Sequence, residues 1–167
     1  MDEQKKLKVG WFSFSCCEDS TILFTEILND HYKEWKKLIE FRSAIVLQKK
    51  ETLSDIDVSF IEGAVTSQEQ EDKVKKIRSV SKKVVAIGSC AVAGNPSNWR
   101  DTFDEKTREE IEPILVRFQY APSVKKLADV IQIDDQVAGC PMQEQAFLTV
   151  VNKYLEEFGI VKKPNNV

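Results

Sequence analysis

The run at 84–88 (VVAIG) constrains the fold more than any other stretch of the chain. It has no polar side chain, follows two lysines, and is too short to be a buried helix. A strand buried on both faces reads this way, and such strands belong to parallel sheets covered by helices on both sides. The rest of the chain supplies that sheet. Residues 7–14 (LKVGWFSF) predict a buried first strand, 38–42 a second, 57–64 (DVSFIEGA) a third that stops at Gly63, and 130–133 (VIQI) a fifth. Helical patterns lie between them. Leu23, Phe24, Ile27 and Leu28 share one face at the 3.6-residue period. Ser67 and Gln70 form a capping-box pair ahead of a stripe of Val74, Ile77 and Val80. A last helix is expected from Pro141, with Phe147, Val150, Val151, Tyr154, Leu155 and Phe158 as its apolar face and Gly159 as its stop. Residues 95–100 (NPSNWR) read as loop, and Pro113 should limit any helix before it. Strands alternating with helices predict an α/β fold, a doubly wound parallel sheet in a single domain spanning 1–167.

Length and charge agree with this and exclude other classes. The chain has 167 residues, enough for one domain with a real core. Its 24 Lys and Arg are interleaved with 27 Asp and Glu, for a net charge of −3, which lacks the basic footprint of a nucleic-acid binder. No apolar run approaches the roughly 20 residues of a membrane span. The start, 1–8, is charged and mixed in sign, and no small-residue cleavage site follows, so a cytoplasmic location is expected.

The four cysteines carry the chemistry. Cys16, Cys17, Cys90 and Cys140 each fall in the turn just after a predicted strand. In an open parallel sheet those turns share one edge, where ligands bind, so the four thiols should converge on one site. Gly88 and Gly139 give the backbone room near two of them, and Pro141 makes the Cys-Pro step seen at iron–sulfur ligands. A helix starting beyond Cys140 would favour its thiolate. Two disulfides, a structural zinc, four unrelated buried thiols or an emptied ancestral site are the competing readings. Adjacent cysteines and a reducing compartment disfavour bridges, and adjacent thiolates fit one small ion poorly. A four-iron four-sulfur cluster is favoured because it offers each thiolate a separate iron.

The strings GWFSFSCCED, FIEGAV, VVAIGSCAVAGN and VAGCPMQEQ, in that order over nearly the whole chain, resemble the flavodoxin-like small subunit shared by nickel-iron hydrogenases and the 20 kDa subunit of respiratory complex I. The resemblance implies that Cys16, Cys17, Cys90 and Cys140 hold the [4Fe–4S] cluster nearest a catalytic large subunit. Hydrogenase small subunits open with C-x-x-C followed two residues later by Glu; with Glu18 as that Glu, the first cysteine position is Ser13. Tandem cysteines are instead the habit of the complex I branch. The EFRSA and FIEGAV strings and the short CAVAGNPSNWRD loop look like the soluble cytoplasmic hydrogenases of the sulfhydrogenase and NAD-linked kinds.

The resemblance therefore implies an electron-transfer subunit of a cytoplasmic nickel-iron hydrogenase-like complex, inactive alone, with two partners. One is a large subunit and the other a further iron–sulfur or flavin subunit, since this chain has no second cysteine set. The alternatives are a complex I-like module that passes electrons to quinone or another acceptor, and a cluster-free docking scaffold. Glu18 resembles a residue of the hydrogenase proton route, and equally reads as a carboxylate accepting N–H bonds at a helix start. Glu62 matches the family's E-G-[SA] turn, where structure and function are both open. His31 reads as a surface residue, Trp11 and Trp35 as core, and Trp99 as a loop residue free to dock. No Ser/His/Asp set, P-loop or G-x-G-x-x-G fingerprint is present.

Overall fold

The computed structural model describes residues 5–47 and 52–162, so the charged start at 1–4 lies outside the described residues. The chain runs β1 (Leu7–Ser13), α1 (Asp19–Leu38), β2 (Ile39–Ala44), β3 (Ile56–Glu62), α2 (Gln68–Ser79), β4 (Ser81–Ile87), α3 (Gly88–Ala93), α4 (Glu105–Arg117), β5 (Asp135–Val137) and α5 (Glu144–Glu157). Short 3-10 helices lie at Ser97–Thr102 and Leu127–Asp129. The strand order is β2-β1-β3-β4-β5, and every pairing is parallel. That is the flavodoxin-like order of a doubly wound sheet, with the reversal of direction between β1 and β3. No described helix is long and apolar enough to cross a membrane.

The apolar run in β4 is explained by its two faces. Val85 and Ile87 enter one core with Trp11, Phe24 and Phe147, while Val84 and Ala86 enter the other with Ile61, Val74 and Ile77. Alternate side chains point to opposite faces of a strand, so a strand covered on both sides needs apolar residues at every position. In the first core Trp11 stacks on Phe24 with centroids 4.2 Å apart, and Phe147 meets the Trp11 ring edge-on. Trp35 is also buried there, and His31 stacks on it at 5.3 Å, so His31 is half-buried against an aromatic rather than a freely solvated residue.

Four local expectations are corrected. The fifth strand is Asp135–Val137, not 130–133: Val85 pairs with Asp135 and Ile87 with Val137. Asp134 immediately precedes it, its carboxylate accepting from Val84 N at 2.8 Å and its own N–H donating to Val84 O at 2.8 Å. Val130, Ile131 and Ile133 pack on the second core from a loop, which is why they look like a strand in sequence. Pro113 does not limit α4 but lies inside it. The carbonyl whose partner the proline removes belongs to exposed Glu109, where water can serve it, and α4 buries no residue that a kink would displace. The expected loop at 95–100 contains most of a 3-10 turn. The last helix begins at Glu144, because 138–143 form a turn in which Gln143 N donates to Ala138 O at 3.1 Å. Its end is as expected, with Gly159 left-handed at φ 69° just past the C-cap.

The capping pair of α2 is half realised. Ser67 accepts from Gln70 N at 3.2 Å, but the Gln70 side chain accepts from Thr66 N at 2.8 Å instead of from Ser67. One turn on, Glu71 accepts from Lys75 and from Lys125, both at 2.7 Å, tying α2 to the segment that pairs Lys125 with Val65. The two ammonium groups hold the Glu71 carboxyl down at about 2, below its ordinary 4.5. A folded-state pKa below the unfolded one means that this stabilisation is complete above about pH 5 and fades as pH falls from 4.5 toward 2. Glu71→Gln should therefore lower stability above about pH 5 and flatten the acid limb between 4.5 and 2, so that the two curves converge as pH falls. Equal acid limbs for both proteins in chemical denaturation would refute the assignment.

Candidate functional site

The C-terminal ends of β1, β4 and β5 bring the cysteines together at the reversal point of the sheet. Cys16, Cys17, Cys90 and Cys140 all line one narrow cleft, with Glu62 and Gly139 among its other walls. All four are free thiols; Cys90 is buried, Cys16 half-buried, and Cys17 and Cys140 exposed. Among the described residues no three His, Cys, Asp or Glu side chains converge as they would around a single metal ion.

Local backbone geometry opens that cleft. Gly139 has φ 123°, and its carbonyl accepts from Ser89 N at 2.7 Å, joining the β4 and β5 turns. A Cβ on Gly139 would stand 2.4 Å from the Pro141 carbonyl oxygen, so both the backbone conformation and the space require glycine. Burial pushes the Cys16 thiol up to about 12, helped by the neighbouring Glu62 carboxylate and by Cys90 and Cys17. Its Sγ donates to Phe14 O at 3.6 Å.

Glu62 organises the loop that carries Cys16 and Cys17. Helix α1 has no conventional cap: Glu18, at the N-cap, is left-handed with φ 63°, and its side chain makes no capping bond. Glu62 reaches across from β3 instead. Its Oε1 accepts from Ser20 N at 3.0 Å, and its Oε2 accepts from Thr21 N at 3.1 Å and Thr21 Oγ1 at 2.6 Å. With its hydroxyl proton given to Glu62, Thr21 accepts from Trp11 Nε1 at 2.9 Å and from Ser13 Oγ at 3.0 Å. The carboxylate at the helix start is thus Glu62 and not Glu18. Glu18 is exposed and lines a separate cavity of about 260 Å³ with Trp11, Ser13 and Thr21. Ser13 is likewise absent from the cysteine cleft. The signal for Glu62 was an acidic residue ending a wholly buried strand beside a helix without a Ser, Thr, Asp or Asn cap at its start.

Two residues at the site escaped sequence reasoning. Ser97 Oγ lies 3.3 Å from Cys90 Sγ, and Arg100 lines a wider cavity of about 470 Å³ that opens onto Cys16, Cys17 and Cys90. Arg100 donates to Ala121 O at 2.7 Å and lies 5.7 Å from the Tyr120 ring, a residue of the same cavity. Both sit in the segment read as irregular loop. Trp99 is 62% exposed, as its loop position suggested.

A doubly wound sheet with four free thiols gathered at its reversal point defines the class: a flavodoxin-like domain whose ligand edge is built from cysteine. The family model described as NADH ubiquinone oxidoreductase, 20 Kd subunit matches residues 16–154, and the chain belongs to that family. It is 28% identical to a subunit of the F420-non-reducing hydrogenase of Methanothermobacter marburgensis, over 91% of this chain and 54% of that protein. It is 24% identical to the delta subunit of sulfhydrogenase 2 of Pyrococcus furiosus, over 87% of this chain and 60% of that one. The chain thus spans little more than half the length of these relatives. In fold it is similar to a chain of the NAD+-reducing [NiFe]-hydrogenase in the H2-reduced state, with TM-score 0.76 and 18% identity over 97% of both chains. The Ni-Fe-Se hydrogenase of Desulfomicrobium baculatum gives TM-score 0.67 at 14% identity, over 96% of this chain and 66% of that one. The resemblance read from the four motifs is borne out, as is the hydrogenase small-subunit fold.

Proposed function

We propose that this chain is the electron-transfer small subunit of a cytoplasmic nickel-iron hydrogenase-like complex, with Cys16, Cys17, Cys90 and Cys140 holding one [4Fe–4S] cluster beside the large subunit's active site. The observation that carries the reading is that four free thiols from three separate turns line one cleft. The donor set fits such a cluster: thiolates suit iron–sulfur chemistry, and four of them line one cleft, one for each iron. The cluster, when bound, supplies one-electron transfer. The chain's own residues do the rest. Glu62 fixes the tandem-cysteine loop, Gly139 keeps the β5 turn close, and the two cores hold the sheet edge rigid.

The partner surface follows from what the fold leaves bare. Helix α4 buries no residue, and Ile114, Val116, Phe118 and Tyr120 are exposed along it and just beyond. Tyr120 continues into the cavity that opens onto the cysteines. A large subunit seated there would cover both the apolar face and the thiol edge, and obligate interfaces of this kind commonly bury more than about 2,000 Å². We assign the onward transfer of its electrons to a further subunit carrying iron–sulfur or flavin centres. The tandem Cys16-Cys17 supports a second reading, a complex I-like module delivering electrons to quinone or another acceptor.

Anaerobic purification of the complex tests both. Either reading expects about four irons and four acid-labile sulfides per chain and a co-purifying large subunit. A large subunit with two C-x-x-C motifs and bound nickel selects the hydrogenase reading, and one without them selects the complex I-like one. Stoichiometric zinc, or a chain that purifies loaded but alone, would overturn the proposal.

A further inference from the structure

The segment between α3 and α4 folds back over the cysteine edge. Gly94 turns left-handed at φ 78° and its N–H donates to Cys90 O at 2.9 Å, while Asn98 N donates to Gly94 O at 2.8 Å. This double turn returns Ser97 to Cys90, seven residues earlier. Ser97 Oγ then faces two acceptors, Cys90 Sγ at 3.3 Å and Ser15 O at 3.2 Å. Ser15 adjoins Cys16, so one hydroxyl joins the β1 turn to the β4 turn, and through them two of the four thiol-bearing positions. Ser97 and Cys90 also share the wall of the cavity that contains Cys16 and Cys17.

We infer that Ser97 is a positioning residue for the cysteine site, whose hydroxyl donates to the Cys90 sulfur, holds that ligand toward the Cys16 turn and raises the reduction potential of the centre bound there. The inference rests on the proposed cluster reading. A hydroxyl has one proton, so it serves one of its two acceptors at a time. An anionic sulfur competes for it better than a neutral carbonyl, because charge-assisted hydrogen bonds are about twice as strong. Once Cys90 carries thiolate charge, the proton goes to sulfur and the Ser15 carbonyl keeps a weaker contact. Donation to a ligand sulfur withdraws electron density and stabilises the reduced, more negative state, so potential rises with the bond and falls without it. Cys90 is 7% exposed, which leaves few solvent donors to replace Ser97.

The test uses the assembled complex, with iron content, redox-titrated electron paramagnetic resonance and activity measured for wild type, Ser97→Ala and Ser97→Thr. Ser97→Ala should keep about four irons per chain while its midpoint potential shifts downward. Ser97→Thr, which retains the hydroxyl, should restore the wild-type potential. If Ser97→Ala instead loses iron, retention of both iron and potential in Ser97→Thr still supports the positioning role. An unchanged potential in iron-replete Ser97→Ala overturns the inference, and so does loss of iron in both variants. Absence of a cluster from the wild-type complex would instead overturn the reading on which it rests.

Discussion

Cys17→Ser will strip the centre as severely as Cys90→Ser, with iron falling well below about four per chain and the signal of the reduced cluster lost, while Ser13→Ala will leave both intact. Thiolate is a far better iron ligand than a hydroxyl that stays protonated at neutral pH. The comparison decides between two ligand sets. Hydrogenase small subunits place a cysteine where Ser13 stands, so Ser13 could in principle ligate through oxygen and leave Cys17 spare. The fold favours Cys17. It lines the cleft with the other three thiols, whereas Ser13 lies at the end of β1 with its hydroxyl donated to Thr21. Removing that hydroxyl costs about 1 kcal/mol of stability and no ligand. A normal signal in Cys17→Ser, or its loss in Ser13→Ala, would exchange the roles of the two residues and leave the family membership untouched.

Glu62→Ala will lower unfolding free energy by about 3 kcal/mol, against under about 0.5 kcal/mol for Glu18→Ala. Glu62 is 3% exposed and accepts three hydrogen bonds from the first turn of α1, two of them from its backbone N–H groups. Its truncation strands Ser20 N and Thr21 N in a buried place and releases the Thr21 hydroxyl that holds Trp11 and Ser13. Glu18 is exposed and caps nothing, so its side chain can be cut back cheaply. Glu62→Gln should fall between the two, since one amide oxygen can replace only part of the carboxylate's accepting capacity. Urea unfolding of the purified protein measures all three variants. A larger loss for Glu18→Ala than for Glu62→Ala would return the capping role to the helix's own N-cap residue.

The elements legible in the sequence were those whose local pattern and tertiary setting agree. Strand β4 showed as a continuous apolar run because it is covered on both faces, and the α2 start showed because Ser67 is a local cap. The misread elements are those where tertiary contacts overrode local pattern. The sequence at 130–133 looks like a strand because Val130, Ile131 and Ile133 are apolar for packing, whereas the short strand beside it begins with aspartate and glutamine. An edge strand of three residues needs only backbone partners, and β4 supplies them. Pro113 marked a stop that a helix with no buried residue did not need.

The amino-acid sequence by itself determined the α/β alternation, the parallel sheet and the placement of each cysteine after a strand, because these depend on periodicity and on neighbours a few residues away. Its motifs likewise carried the family. Only the tertiary structure decided which side chains serve those cysteines. Glu62 caps a helix some 40 residues before it in the chain, and Ser97 reaches both Cys90 and Ser15. Such pairings are set by how the sheet edge folds together, and hydrogen bonds between distant segments leave no period in the sequence that would announce them.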